Sequence, residues 1–284
     1  LPPGEPRERL GSARVLCVGD VLLDYSVEGG LSEGAEPVLV VESEARRVGG
    51  AAIVLRDLVA LGATATFVSA VGNDNAGREI EQLMAEERGA DILLLVQPGR
   101  ATATRSRFVA GDRVLLRAEH DNAAPLGPFV REDLLRLARE LVTSHGAAIV
   151  SDHGKGVLTE GVALEIIRAA GDAGAKVVVA AEGGDPIRYR GADLLTVTGP
   201  ELALATGMGV DGATAVTAAA RALINRCALG ALLVPEAGAG MVLIDAGGKT
   251  TRVRRFGANG IAIVAAALAT GHVPSEALRL AASE

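Results

Sequence analysis

Aromatic side chains are scarce in this 284-residue chain: they make up 2% of it, and tryptophan is absent. Stacking platforms for single-stranded nucleic acid need several exposed rings, so that class is disfavoured. Basic charge is also in deficit. Lys and Arg total 28 against 35 Asp and Glu, a net charge of −7, which argues against a uniformly basic nucleic-acid surface. Only two cysteines are present, Cys17 and Cys227. They cannot build a disulfide scaffold, and they read as buried thiols of a reducing, cytoplasmic compartment. Apolar runs of eighteen residues are missing, so no membrane-spanning helix is expected. The four histidines do not fall at zinc-ligand spacing, and no metal site is expected. The first six residues lack a basic segment ahead of an apolar core and do not read as a signal peptide. The chain begins with Leu rather than Met, which leaves room for residues before it.

Glycine, in contrast, is plentiful at 36 residues, and 49% of the chain is hydrophobic. That suits close helix–sheet packing, and the length fits a single α/β unit. Arg14–Asp20 is a continuous apolar run closed by Gly19 and Asp20, the pattern of a strand buried on both faces. Similar runs occur at Thr66–Val71, Ala147–Ser151, Lys176–Ala180, Asp193–Thr196 and Ala231–Val234. Helices are predicted between them at Ala51–Leu61, Gly77–Glu87, Arg131–Thr143, Gly161–Ala173, Thr214–Arg226 and Gly260–Ala269. This alternation predicts an α/β fold with a doubly wound, mainly parallel sheet. Segments 27–48 and 101–119 interrupt it with turn-punctuated strands, read as the antiparallel strands of a small β-lid. Residues 14–284 are read as one domain and 1–13 as an N-terminal extension.

Open parallel sheets bind ligands beyond the carboxyl ends of their strands. Asp20 and Asp24 fall there and suit sugar hydroxyls, although either also suits a turn or helix cap. Gly49 and Gly50 open a helix where a ligand can approach backbone N–H groups. The loop Ser151–Gly156 gathers Asp152, His153 and Lys155, an acid, an imidazole and a cation; a solvated polar loop is its plainer reading. Glu182, Thr196–Glu201 and Pro235–Gly240 complete the same edge. Arg252, Arg254 and Arg255 lead into Gly257-Ala258-Asn259-Gly260 and a small-residue helix. That is a physically sound anion cradle, or else an ordinary turn after an edge strand. Gly19 begins no Gly-x-Gly-x-x-Gly turn, which disfavours a dinucleotide-dependent oxidoreductase.

Five segments in this order carry a resemblance. They are Val18-Gly19-Asp20-Val21-Leu22-Leu23-Asp24; Gly49-Gly50-Ala51-Ala52 with Leu61-Gly62-Ala63; Val71–Gly77, which fits a Gly-x-Asp-x-x-Gly pattern; Ser151–Gly156; and Arg188-Tyr189-Arg190-Gly191-Ala192. From about Arg14 onward the chain resembles the ribokinase-like (PfkB) carbohydrate kinases. Within them it looks most like the heptose-7-phosphate kinase branch, the kinase half of bifunctional heptose kinase/adenylyltransferases. The resemblance implies a ribokinase-like core with a small β-lid, often shared across a homodimer. It implies transfer of the ATP γ-phosphoryl group to a sugar phosphate in the presence of Mg²⁺. It puts Asp20, Asp24, Gly49, Gly50, Asp152 and Lys155 on the sugar side. Thr196, Glu201, Gly240, Arg254, Gly257, Ala258 and Asn259 fall on the nucleotide and phosphate side.

The chain departs from that pattern where the chemistry sits. The family's Gly-Ala-Gly-Asp turn, which supplies the catalytic base, corresponds to Gly257–Gly260, with Gly260 in the place of Asp. No Asp or Glu occurs between Asp245 and Glu276. The branch's Ser-Asp-Tyr-x-Lys-Gly has His153 for Tyr, its Asp-Pro-Lys reads Ala180-Ala181-Glu182, and its Thr-Arg reads Pro235-Glu236. The Asn after Gly-Gly-Ala-Ala is Ile53. Loss of one base lowers a rate by about 10²–10⁴. Two readings follow. One is a sugar kinase homologue that binds a phosphosugar and transfers phosphate weakly or not at all, using ATP and Mg²⁺ if active. The other is a silent pseudokinase without cofactor that serves as a scaffold for a protein partner.

Overall fold

The computed structural model describes residues 10–32, 34, 36–121, 123–159, 161–236 and 240–282. The readings made on residues 1–9 lie outside the described residues. The main sheet has nine strands. They are β1 (Arg14–Gly19), β4 (Thr64–Gly72), β5 (Ala90–Gln97), β8 (Ala147–Asp152), β9 (Lys176–Ala181), β10 (Leu194–Thr196), β11 (Ala231–Glu236), β12 (Gly240–Asp245) and β13 (Thr250–Val253), in the order β13-β12-β11-β10-β9-β8-β1-β4-β5. All joins are parallel except β11–β12 and β12–β13.

Period-two alternation decides what each strand buries. Leu16 and Val18 of β1 enter one core, while Val15 and Cys17 enter the other. The first core is closed by α3 (Pro128–Val142), α4 (Val162–Asp172) and α6 (Ala213–Cys227). The second is closed by α1 (Ala51–Ala60), α2 (Asn75–Ala85), α7 (Gly260–Ala269) and α8 (Pro274–Ala281). Helix α5 (Gly199–Thr206) follows β10 in the chain and packs on α6. Helix α7 is buried along nearly its whole length and crosses β8, β9 and β1, a close approach that its alanines permit. Cys17 and Cys227 are free and buried in opposite cores, and burial pushes the Cys17 thiol up to about 12. No described helix is long and apolar enough to cross a membrane.

The lid is a second, four-stranded sheet in the order β3-β2-β6-β7, built from β2 (Val21–Ser32), β3 (Val38–Gly50), β6 (Thr104–Ala110) and β7 (Arg113–His120). Two details differ from expectation. The lid starts at Val21, directly after Asp20, and not near residue 27. Its central β2–β6 join is parallel, whereas β2–β3 and β6–β7 are antiparallel. The reason is that β6 follows a crossover through β4, α2 and β5, so it returns in the direction of β2.

The Gly-x-Asp-x-x-Gly segment is a structural joint. Asp74 caps α2 by accepting the Gly77 N–H at 2.8 Å, and it also accepts the N–H and hydroxyl of Thr102. Partial burial would raise the Asp74 carboxyl. The hydrogen bonds from Thr102 and Gly77 outweigh that and hold it below the usual range. Its contribution is therefore complete above the ordinary carboxylate range and lost as pH falls through the lowered value.

Candidate functional site

Strand order reverses at β1. From there the chain runs outward through β4 and β5, then returns to place β8 on the other side. The crevice beyond the carboxyl ends of β1 and β8 is the topological switch point, where ligands of such sheets bind. Asp20 directly follows β1, and the loop 153–157 leaves β8.

Asp20 is fully buried. Its Oδ2 accepts the N–H of His153 (2.9 Å) and of Lys155 (3.0 Å), and its Oδ1 accepts the N–H of Val157 (2.9 Å). Asp152 is 3% exposed. It accepts the Gly154 N–H, the Tyr189 hydroxyl (2.8 Å) and Nη2 of Arg188 (3.0 Å). Arg100 closes the loop from behind by donating to the Lys155 and Ala124 carbonyls. Both aspartates thus face inward and shape the loop, where the sequence reading has them facing a sugar. The Arg188-Tyr189 motif supports Asp152 from the third side.

The side chains that do face the crevice come from the lid as much as from the core. A cavity of about 110 Å³ lies between them, lined by Gly50, Ile53, Arg105, Arg117, Glu119, Asp121, His153, Lys155 and Glu182, with Leu22 and Thr104. Arg105 also lines an adjoining hollow of about 290 Å³ on the lid with Asp24, Ser26, Arg47 and Arg107. Asp24 receives a bidentate ion pair from Arg105, at 2.6 and 2.7 Å. A Cβ at Gly49 would strike Asp24 Oδ2, so glycine there makes room for this pair. Gly50 has φ of 68° and caps α1; a Cβ there would meet the Asp20 carbonyl. The Ala51 N–H, expected to be open to an anion, donates to that same carbonyl at 2.9 Å. Lys155 Nζ lies 2.5 Å from Asp121, and Arg117 pairs with Glu119.

Of the expected sugar-side residues, Gly50 and Lys155 line the cavity between lid and core, Asp24 lines the neighbouring hollow, and Gly49 lines neither but lies against the Asp24 carboxylate. Sequence reasoning about the strand ends misses these arginines. Their spacing of two along β6 (Arg105, Arg107) and along β7 (Arg117, Glu119) is the signal, because it puts each pair on one face of a strand.

The nucleotide side is a shallow hollow of about 200 Å³ lined by Thr196, Glu201, Pro235, Met241 and Ile261, with Ala181, Val197 and Thr198. Glu201 is occupied. It forms a capping box with Thr198 at the start of α5 and accepts the Gly183 N–H at 2.7 Å. Gly240 pairs with Glu236 in the β11–β12 hairpin and does not line the hollow. Glu236, which stands where the branch pattern has Arg, is paired with Arg252 at 3.0 Å. Arg254 is exposed. In the turn 257–260 the Gly260 N–H donates to the Gly257 carbonyl at 3.0 Å, so this amide is not offered outward. A Cβ at Gly260 would fall on the Phe256 ring, 2.7 Å from Cδ1 and closer to Cε1 and Cζ. The ring occupies the space that a side chain at 260 needs. Among the described residues no group of three or more His, Cys, Asp or Glu is placed to hold a metal ion.

Comparison with known proteins fits this geometry. The profile of the pfkB family carbohydrate kinases matches residues 12–282. The bifunctional protein HldE of Paramagnetospirillum magneticum is 41% identical over 288 residues, covering 96% of this chain and 59% of that protein. HldE of Rhodospirillum rubrum is 38% identical over 286 residues, covering 96% and 58%. The chain therefore spans under two thirds of these relatives. Arabidopsis thaliana ribokinase complexed with ribose and ATP superposes with a TM-score of 0.74 at 19% identity, covering 96% of this chain and 91% of that one. The tetrameric inhibited form of Escherichia coli phosphofructokinase-2 gives 0.78 at 16% identity, covering 94% and 91%. These structures share the fold, an α/β core with a mainly parallel sheet. The family match over nearly the whole chain, together with the switch-point crevice under a β-lid, identifies this chain as a member of the pfkB family of carbohydrate kinases.

Proposed function

We propose that the crevice between lid and core binds a sugar phosphate of the heptose 7-phosphate class, and that the chain transfers the γ-phosphoryl group of ATP to it slowly. The observation that carries this reading is the set of cations around the crevice. Arg105, Arg117 and Lys155 converge on one cavity, each held by a carboxylate, and Arg47 and Arg107 flank it on the lid. Guanidinium groups suit phosphate oxygens, and carboxylates suit sugar hydroxyls. Slowness follows from Gly260, which offers no base, and from the ring of Phe256 above it. That same ring supports the second reading, a silent scaffold for a protein partner, in which the sugar side still binds.

Calorimetric titration tests the site. Heptose 7-phosphate should bind, and Asp24→Ala should weaken it by about 1–3 kcal/mol, because Asp24 both meets a hydroxyl and holds Arg105 in place. Equal affinity in protein and variant would reject this crevice.

A homodimer through the lid belongs to the same proposal. Leu31, Val41 and Leu116 on one face of the lid, and Val38, Val40 and Val114 on the other, stand exposed by 45–57%, and apolar surface of that kind calls for cover. Sedimentation equilibrium should give twice the chain mass, and Val40→Glu with Leu116→Glu should give a monomer. A monomeric unaltered protein would refute the lid contact.

A further inference from the structure

Every acid around the crevice but one is matched to a full cation. Asp24 is held by both nitrogens of Arg105, Asp121 by Lys155 and Glu119 by Arg117. Glu182, one residue past the end of β9, differs. Its Oε1 lies 3.0 Å from Nδ1 of His153, and its Oε2 has no partner among the described residues. The side chain is 74% exposed, and it lines the cavity beside Lys155 and Arg105. His153 is fixed in turn. Its Nε2 lies 3.1 Å from the Ser151 hydroxyl, and its side chain is 19% exposed. The imidazole is thus a rigid post that holds one oxygen of Glu182 and leaves the other free.

Position is the second observation. Ala181, the residue before Glu182, lines the nucleotide-side hollow together with Ile261, the neighbour of Gly260. Glu182 itself lines the sugar-side cavity. It therefore stands on the ridge between the two hollows, where a hydroxyl of one ligand would meet the terminal phosphate of the other.

We propose that Glu182 is the catalytic base of this chain and that His153 is its positioning residue; this rests on the kinase reading above. In the step, the sugar hydroxyl gives its proton to Oε2 of Glu182, and its oxygen forms a bond to the γ-phosphorus of ATP. The bond from that phosphorus to the bridging oxygen breaks, and ADP leaves with the electron pair. Glu182 then releases the proton to the solvent it already faces. The hydrogen bond from His153, with Arg105 and Lys155 nearby, holds the Glu182 carboxyl below the usual range, against partial burial. It is ionised at neutral pH and a weak base, which agrees with slow transfer.

The test uses the full chain, γ-labelled ATP and heptose 7-phosphate, with labelled sugar as the readout. Glu182→Gln should lower kcat by about 10² or more with both KM values little changed, and Glu182→Asp should retain part of the rate. His153→Gln should move the acidic limb of the kcat–pH profile upward, toward an ordinary carboxylate. Glu182→Gln should melt like the unaltered protein, since the side chain is exposed. A kcat for Glu182→Gln within about threefold of the unaltered protein overturns the assignment while the kinase reading stands. An unaltered protein that binds the sugar phosphate and transfers no label overturns both the base and the transfer, and leaves the binding site intact.

Discussion

Replacing Asp20 by alanine should cost about 3 kcal/mol of folding stability and abolish sugar-phosphate binding with it. Three backbone N–H groups, of His153, Lys155 and Val157, end on this fully buried carboxylate. Each buried amide left without an acceptor costs about 1–3 kcal/mol. The lower end applies, because the carboxylate is itself an uncomfortable group. Burial and the neighbouring Asp152 push its carboxyl above the usual range, against the lowering effect of the three amides. A raised folded-state value means that this group weakens the fold as pH climbs through it, which offsets part of the gain. Binding is lost because the loop it shapes carries Lys155 and His153. Asp20→Asn, which keeps one acceptor, should fall between. Denaturant unfolding and titration of both variants check this. An alanine variant with unchanged stability and unchanged binding would show that the loop holds itself.

Much of the framework was readable in advance, for a physical reason. Strands buried on both faces, such as Val15–Gly19 and Ala147–Asp152, advertise themselves as unbroken apolar runs. Most of the helices between them carry one apolar stripe, whereas α7 is apolar all round and buried. Two further signals lie in the sequence. Ile92-Leu93-Leu94-Leu95-Val96 is such a run and forms most of β5. Thr198 followed by Glu201 is a capping-box spacing, and it starts α5 instead of meeting a nucleotide.

The site was less readable because its contacts cross sheets. Asp24 and Arg105 are 81 residues apart and meet only through the parallel β2–β6 register. Asp20 looks the same in sequence whether it faces a ligand or an inward loop. The lid begins at Val21 because the chain passes from one sheet to the other at Asp20 with only Gly19 to mark the change. Phe256 and Gly260 are close in sequence, but the turn between them decides that the ring lies over the glycine.

The second large effect concerns that ring. Gly260→Asp alone should leave transfer unchanged, because its side chain would collide with Phe256. Phe256→Ala with Gly260→Asp should raise kcat by about 10²-fold, the lower end of what a positioned base contributes. The lower end is chosen because Ile53 and Glu236 still stand where the family pattern has Asn and Arg. In the double variant, Glu182→Gln should matter far less, since the added carboxylate takes over its task. Melting curves of Phe256→Ala alone separate loss of packing from gain of chemistry.

The most direct measurement is therefore transfer of label from γ-labelled ATP to heptose 7-phosphate by the unaltered protein, side by side with Phe256→Ala/Gly260→Asp. Slow labelling in proportion to protein concentration, accelerated about 10²-fold in the double variant, is the predicted result. Rapid labelling by the unaltered protein that the double substitution does not increase would contradict it.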